Sequence, residues 1–420
     1  MPMSSEAEIR YITAAEAPEF VAGVNRGFLR SGPYTDEQAL DAARNMLIEP
    51  ERTLAAFDGR RIVGTFRSIP REMTVPGGAT LPASGVTGVT VTATHRRRGL
   101  LTRMMDIELA AAVGRGEPVA ILIAAEYRIY GRYGFGPAAG TTQWSVDIAR
   151  ARTPAPRPAD GSRIDLVTPA EVRAVGPELF DRVRRATPGA NARTETWWRS
   201  FTGDLPDPGG TWREPFFAVY RDASGRVDGL LTYTVDDSAW AGKMPDNTLT
   251  VDRGDFATPQ AESALWRYAL SMDWLRRLRT GLRACDDVLP LLLGDPRAAT
   301  VDSQTDYMWL RVLDVPTTLA ARTYNTTGSL VLRLRDPAGY ADGTFRLDAS
   351  PEPGGSTATA TTGDADLAMD IAELGTLYLG DESAVRLAAL GRVTELRPGA
   401  AARADLLLRT SRRPWCPDTF

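Results

Sequence analysis

Histidine, cysteine and lysine are scarce in this chain of 420 residues. It contains one histidine (His95), two cysteines (Cys285 and Cys416) and, among 49 basic residues, a single lysine (Lys243). A Ser-His-Asp or Cys-His hydrolase could therefore use only His95, and a Schiff-base enzyme only Lys243. A zinc site of Cys and His ligands would need added carboxylates, and two cysteines so far apart in sequence give no disulfide framework. The composition favours chemistry that needs none of these side chains.

An excess of positive charge is also absent. The 49 basic and 53 acidic residues give a net charge of −4 and a pI of about 5.4, which argues against a general nucleic-acid binder. The longest apolar stretches, such as residues 288–293, are far shorter than the ~20 residues of a membrane span. The first residues lack the basic and apolar regions of a signal peptide, so we expect a cytoplasmic protein.

Proline and glycine divide the chain into three segments. Pro154, Pro156 and Pro158 stand at alternate positions, which favours an extended connector and a boundary near 153–161. A second break follows residues 294–296 and suggests a boundary within 295–305. The predicted domains are residues 1–153, 154–297 and 298–420.

The first segment predicts a mixed α/β layer. Asp58-Gly59 joins two β-prone runs as a hairpin. A helical pattern of Leu100, Met104, Ile107 and Ala111 ends at Gly114. The predicted strands are 53–57, 61–69, 85–91 and 119–124.

The second segment resembles the first in its order of elements but lacks a basic loop. Its predicted elements are strands 216–220, 227–235 and 247–251 and a long helix 261–278. The third segment predicts strands near 308–313, 329–334 and 343–349, followed by helices around 371–375, 383–391 and 401–409. The fold class is α/β, with mixed α+β sheets.

The basic loop between the strand 85–91 and the helix beginning at Leu100 has the sequence Thr-His-Arg-Arg-Arg-Gly. Free N–H groups at a helix N-terminus favour a bound anion such as a diphosphate. The alternative is a solvated basic loop that caps the helix. Arginines oppose the helix dipole at this end unless an anion lies there too, so an anion site is the favoured interpretation.

This loop resembles the coenzyme A pyrophosphate loop of the GNAT acetyltransferases. Arg96, Gly99 and Leu101 follow the family form of Arg or Gln, two residues, Gly, one residue, then Gly or Ala, except at the last position. Residues 125–138 directly follow the apolar strand 119–124, and they include the string Ile-Tyr-Gly-Arg-Tyr-Gly-Phe-Gly-Pro-Ala at 129–138. Together these two motifs are similar to the Eis-like (enhanced intracellular survival) branch of that superfamily.

The resemblance implies a tripartite chain: a GNAT domain, a second GNAT-like domain without the coenzyme loop, and a C-terminal domain similar to sterol carrier proteins. It implies an N-acetyltransferase that uses acetyl-CoA and no metal, and a homohexamer. The expected substrate is a small polyamine-like or aminoglycoside-like amine, or a lysine of a peptide. Arg30 stands where the family comparison leads us to expect an acid, which puts aminoglycoside specificity in doubt.

The resemblance also implies roles for individual residues. Tyr130 is expected to be the general acid, and the terminal carboxylate of Phe420 the general base. Phe28 and Asp418 are expected to contact the amine. The residues expected to hold the coenzyme are Val89, Thr90, Val91, Arg97, Arg98, Gly99, Leu100, Leu101, Thr102, Ala125 and Glu126.

Other interpretations stay open at this point. Tyr130 lies in an aromatic cluster and could be a core residue, and Phe420 could be a frayed apolar end, although Trp415, Cys416 and Pro417 suggest that the tail docks. The protein could use a larger acyl-CoA. It could also be a non-catalytic ligand-binding or scaffold protein that relies on the carrier-like domain.

Overall fold

The computed structural model of this protein describes residues 7–30, 40, 43, 48–151, 161–205, 212–236, 240–241 and 243–420. The predicted connector at 153–161 lies outside these ranges except for Gly161, and so do residues 31–37 beside Phe28 and Arg30. Within these ranges, no helix combines the length and the apolar character needed to cross a membrane.

The first domain begins with a hairpin-based sheet, and the predicted turn at Asp58-Gly59 is confirmed. Gly59 has a φ of 62°, and β2 pairs antiparallel with β3 across it. The elements are β1 (Glu8–Tyr11), α1 (Ala17–Gly27), β2 (Thr53–Asp58), β3 (Arg61–Thr74), β4 (Thr80–Val91), α2 (Leu100–Gly114), β5 (Val119–Ile123), α3 (Tyr127–Tyr130), β6 (Gly136–Asp147) and α4 (Ile148–Ala151).

The second domain repeats this order of strands and helices. Its elements are β7 (Arg163–Val167), α5 (Pro169–Arg185), α6 (Glu195–Phe201), β8 (Phe216–Arg221), β9 (Val227–Asp236), β10 (Trp240–Ala241), β11 (Met244–Pro245), β12 (Asn247–Phe256), α7 (Pro259–Leu270), β13 (Leu275–Arg279), α8 (Leu289–Leu292) and β14 (Ala299–Val312).

The third domain is built on a separate five-stranded sheet of order β17-β16-β15-β18-β19. Its elements are α9 (Val315–Ala321), β15 (Gly328–Arg335), β16 (Gly343–Ala349), β17 (Thr357–Ala360), β18 (Leu367–Asp370), α10 (Ile371–Tyr378), α11 (Ala384–Ala389), β19 (Val393–Glu395) and α12 (Ala400–Leu408). Buried residues of this domain and of the large sheet form one hydrophobic cluster, so the third domain packs firmly on the sheet.

The first two domains share one twelve-stranded sheet of order β1-β2-β3-β4-β5-β14-β6-β13-β12-β9-β8-β7. From either edge of the sheet to its centre, the corresponding strands of the two domains follow in the same order. Strand β6 of the first domain pairs with β13 of the second domain, whereas β14 of the second domain pairs with β5 of the first. The two domains therefore exchange their last strands, which makes the sheet continuous.

Two sequence predictions are corrected here. The predicted helix 261–278 ends at Leu270, and residues 275–279 form β13, because Trp274 turns the chain with a φ of 73° and β12 and β6 provide strand partners on both sides. The strand predicted near 308–313 was assigned to the third domain. It is the end of β14 and lies in the large sheet, so that residues 299–312 belong structurally with the first two domains.

Candidate active site

The site begins where the parallel strands β4 and β5 separate. Their pairing runs from Ala83 with Val119 to Val86 with Leu122 and stops there, although β4 continues to Val91. The register between β3 and β4 also shifts beyond this point, between Thr65 and Arg67, which marks a β-bulge. Backbone N–H and C=O groups of β4 beyond Val86 therefore face an opening instead of β5.

The three predicted coenzyme residues on β4 lie beside this opening. The side chains of Val89 and Val91 are partly buried and, like that of Leu101, pack against the hydrophobic core of the first domain. Thr90 is buried, and its hydroxyl lies 2.7 Å from that of Thr65. The side chain of Thr90 is thus occupied inside the fold, and only its backbone is available to a ligand.

The basic loop that follows β4 has an unusual backbone. Arg97 and Gly99 both have left-handed conformations, with φ of 63° and 74°, and Gly99 directly precedes α2. Arg96, Arg97 and Arg98 are exposed, and within the described ranges no carboxylate pairs with them. Arg96 and Arg98 donate only to backbone carbonyls, those of Val91 and Thr94. The loop therefore places three cations whose charge no carboxylate of the described residues balances at the positive end of a fifteen-residue helix, an arrangement that favours a bound anion.

In the first turn of α2, the backbone offers more to a ligand than the side chains do. The Leu100 side chain is buried in a small cluster with Ala56 and Val63. The Thr102 hydroxyl lies 3.0 Å from the hydroxyl of Tyr133. Leu100 can meet a ligand only through its N–H group, whereas Thr102 ties the helix to the segment after β5.

Tyr130 ends the short helix α3 just after β5, and Ala125 and Glu126 lie exposed between the two. The Tyr130 ring is buried in the core and meets Phe135 edge-on at a centroid distance of 6.2 Å. Burial, with a smaller contribution from the charge of Glu126, raises the pKa of Tyr130 to about 12. Among the hydrogen bonds of the described residues, none engages its hydroxyl, which leaves the hydroxyl available to a ligand.

The terminal segment, residues 415–420, docks next to the end of β5. Tyr307 on β14 accepts a hydrogen bond from the N–H of Ala124 at 3.3 Å, and its hydroxyl lies 2.6 Å from that of Thr419. Arg71 on β3 places its guanidinium 5.0 Å from the ring centroid of Phe420. The segment that carries Phe420 is therefore held against the same strands that lead to Tyr130.

The two predicted substrate residues have different surroundings. Phe28 follows α1 and is 44% exposed, with the Arg30 guanidinium 5.6 Å from its ring. Asp418 is 5% exposed, and its carboxylate forms ion pairs with Arg193 and Arg253. Both arginines neutralise the charge of Asp418, so its carboxylate is engaged within the fold, and its contact with the amine stays a prediction.

A cavity of about 690 Å³ opens in the second domain beside the terminal segment. Asp252, Arg253 and Leu282 line it, and the same residues line a smaller pocket of about 70 Å³ that Thr419 borders. Burial raises the pKa of Asp252. The cavity thus approaches the tail from the side of the second domain.

Sequence reasoning missed the residues that hold the tail: Arg71, Arg193, Arg253 and Tyr307. They are spread over three strands and a loop, and no local motif connects them. The acidic residue at 418 in an otherwise apolar tail was the available signal, because a carboxylate buried with that tail needs cationic partners.

Comparison with known proteins agrees with the division of the chain into three domains. Profiles described as an acetyltransferase (GNAT) domain match residues 8–138 and 189–312, and one described as a sterol carrier protein domain matches residues 315–417. An uncharacterized N-acetyltransferase of Streptomyces avermitilis is 52% identical over 423 residues, with 100% of both chains covered.

Two further relatives carry the name Eis. The N-acetyltransferase Eis of Mycobacterium tuberculosis is 35% identical over 345 residues, covering 80% of this chain and 81% of its own. The crystal structure of Eis1 from Mycobacterium abscessus superposes with a TM-score of 0.83 at 30% identity, covering 98% of this chain and 100% of its own. The tripartite fold predicted from the sequence is thereby confirmed, and the chain belongs to the Eis-like GNAT N-acetyltransferases, which makes it an acyltransferase.

Proposed function

We propose that this acyltransferase moves the acetyl group of acetyl-CoA directly to a primary amine, with Tyr130 as general acid and the terminal carboxylate of Phe420 as general base. The observation that carries the proposal is the convergence of the β4–β5 opening, the arginine loop, Tyr130 and the docked tail at one end of β5. Direct transfer needs no side-chain nucleophile, in keeping with the scarcity of histidine, cysteine and lysine.

The fold supports a coenzyme at the opening, where acetyl-CoA would supply an activated thioester. Arg97 and Arg98, with the N–H groups from Gly99 to Thr102, bind the pyrophosphate. The backbone of residues 89–91 holds the pantetheine arm and polarises the acetyl carbonyl. Ala125 and Glu126 contact the coenzyme further along.

Tyr130 and Phe420 handle the protons. With a pKa of about 12, the Tyr130 hydroxyl stays protonated at neutral pH and donates to the leaving sulfur. Since a free thiol has a pKa of about 8.5, full transfer of the proton is uphill. Alignment and the negative charge that develops on sulfur offset this cost, so that the hydrogen bond from Tyr130 strengthens and its proton passes to the departing thiolate. The Phe420 carboxylate accepts the proton of the ammonium group.

The substrate is a small polyamine-like or aminoglycoside-like amine, or the lysine of a peptide. The cavity beside the tail carries Arg213, Arg253 and Arg279 against Asp252 and Asp302. Among these classes of amine, the lining therefore favours the members with the fewest positive charges.

A coenzyme A-release screen tests the proposal, with monoamines, polyamines, aminoglycosides and lysine peptides offered together with acetyl-CoA or a longer acyl-CoA. We expect turnover with acetyl-CoA and at least one amine, fastest for amines of low charge. The proposal fails if no amine is acetylated and calorimetry detects no binding of acetyl-CoA.

The homohexamer and the cytoplasmic location implied by the resemblance belong to this proposal as well. Light scattering of the purified protein measures the first. A mass equal to one chain of 45.6 kDa would contradict it.

A further inference from the structure

The terminal segment is held by two arginines of the second domain that the catalytic scheme does not use. Arg193 places Nε 3.0 Å from one carboxylate oxygen of Asp418 and Nη1 2.6 Å from one of Asp255. Arg253 donates from Nη1 to Asp418 at 2.7 Å and to the carbonyl oxygen of Pro417 at 2.8 Å. Asp418 is thus gripped from both sides.

Because the ion pairs of Asp418 are buried, they stabilise a single position of the tail. The side chains of Arg193 and Asp418 are 2% and 8% exposed. The Arg193 guanidinium also lies 3.5 Å from the ring centroid of Phe180 and 4.1 Å from that of Trp197, which holds its plane. If the tail moved, buried charges would lose their partners, and this is costly for side chains that are shielded from solvent.

The contacts on either side of Asp418 extend the same restraint. The N–H of Trp415 donates to the carbonyl of Pro188 at 2.9 Å, and the Cys416 thiol donates to the carbonyl of Asp418 at 3.2 Å. Beyond Asp418, Thr419 meets Tyr307 at 2.6 Å. Asp418 is therefore the charged anchor of a tail that is fixed on both sides.

The position of this anchor follows from the repeat of the two domains. Strand β12 pairs with β13 as far as Thr250 and then shifts register with β9, just as β4 separates from β5 after Val86 and shifts register with β3. Residues 253–255 follow Thr250 at the same distance at which residues 89–91 follow Val86. The tail therefore contacts the second domain at the position that corresponds to the proposed coenzyme site of the first domain.

We propose that Arg193 and Arg253 are positioning residues, which clamp Asp418 and so hold the carboxylate of Phe420 in the catalytic site. The inference rests on the proposed function, since it assigns the tail a role in catalysis. It gives the second domain a task in the reaction although that domain lacks the coenzyme loop. A released tail would misplace the base without altering the coenzyme site.

Arg253→Met and Asp418→Asn test the clamp in the full-length chain. Arg253 is preferred to the fully buried Arg193 because its side chain is 26% exposed, so the variant has a better chance of folding. Arg221→Met is the matched control, since Arg221 also lies in the second domain and forms two ion pairs, with Asp165 and Glu171. For each protein we would measure kcat, the KM for acetyl-CoA and the rate at which carboxypeptidase A releases phenylalanine from the folded chain.

We expect both clamp variants to lose kcat by roughly ten- to a hundredfold, as small displacements of catalytic groups do. Their KM for acetyl-CoA should stay within about twofold of wild type, while phenylalanine release accelerates. The clamp is refuted if Arg253→Met and Asp418→Asn match Arg221→Met in both kcat and phenylalanine release. If the wild type acetylates no amine but the clamp variants still release phenylalanine faster, the proposed function fails and the anchoring of the tail stands.

Discussion

Tyr130 and Phe420, the two residues proposed to transfer protons, differ in their surroundings. Tyr130 is buried beside Phe135 in the core of the first domain, which keeps its hydroxyl neutral and fixes its direction. Phe420 is partly buried, and the guanidinium of Arg71 lies over its ring. The proposed acid is thus held by packing in the core, and the residue that carries the proposed base is held by a cation–π contact.

Replacing Tyr130 by phenylalanine keeps the ring packing and removes only the hydroxyl. We expect kcat to fall by about 10²- to 10⁴-fold, the range for loss of a general acid, with little change in the affinity for acetyl-CoA. Steady-state kinetics and calorimetry measure the two quantities. Tyr127→Phe is the control on the same helix, because Tyr127 is 55% exposed and has no assigned role. Unchanged turnover in Tyr130→Phe would remove Tyr130 from the mechanism.

Among the elements, α10 decides how the third domain meets the large sheet. A Cβ atom on Gly136 of β6 would overlap the carbonyl oxygen of Ala372 in α10, and one on Gly375 of α10 would overlap the carbonyl oxygen of Leu310 in β14. Both glycines are therefore required for the close approach of helix and strands. This contact fixes the domain from which the tail emerges.

Gly136→Ala should lower the thermal transition and loosen the third domain. Forcing a methyl group into a packed contact costs about 1–3 kcal/mol, and here the obstacle is backbone, which yields little. Calorimetry measures the transition. Gly114→Ala is the control, because a Cβ atom at this end of α2 meets nothing within 4 Å. Equal transition temperatures for the two variants would show that the close contact is not needed.

The loop between β4 and α2 is the second element with a testable role, which is the proposed binding of the coenzyme by its arginines. Arg97→Asn combined with Arg98→Gln removes two exposed positive charges, and asparagine tolerates the left-handed backbone that Arg97 adopts. We expect the Kd for coenzyme A to rise about tenfold or more, because charge-assisted bonds to the pyrophosphate are lost. Calorimetry measures the Kd, and Arg61→Gln, an exposed arginine on β3, is the control. An unchanged Kd would leave the loop a solvated cap.

For the whole molecule, the exchange of β6 and β14 makes the three domains interdependent. Strand β14 of the second domain lies between β5 and β6 of the first domain. Its residue Tyr307, which contacts Thr419 of the tail, therefore lies among strands of the first domain. The tail itself comes from the third. All three domains thus contribute to one site.

Appending residues after Phe420 tests this dependence. The extension converts the terminal carboxylate into a peptide bond, so we expect turnover to be lost while circular dichroism and the thermal transition stay unchanged. An extended chain with wild-type turnover would exclude the carboxylate as the base. The control is an equal extension before Met1, which leaves the carboxylate free.

Local sequence was sufficient wherever a motif lies on consecutive residues. The turn at Asp58-Gly59 and the helix after Gly99 each depend on neighbours in the chain, and the structure has them where they were expected. The helix predicted over 261–278 failed at Leu275. There the helical periodicity continues, but pairing with β12 and β6 decides the conformation.

The sequence by itself determined the family, because the motifs around Gly99 and Tyr130 lie on consecutive residues, and the resemblance to that family implied the three-part fold and the candidate coenzyme residues. Only the tertiary structure decided the fate of β14 and of Asp418. Strand exchange and buried ion pairs join residues more than a hundred positions apart, such as Arg193 and Asp418, and no local pattern records such a pairing. The charge of Asp418 was visible in the sequence, but its partners depend on where three domains meet.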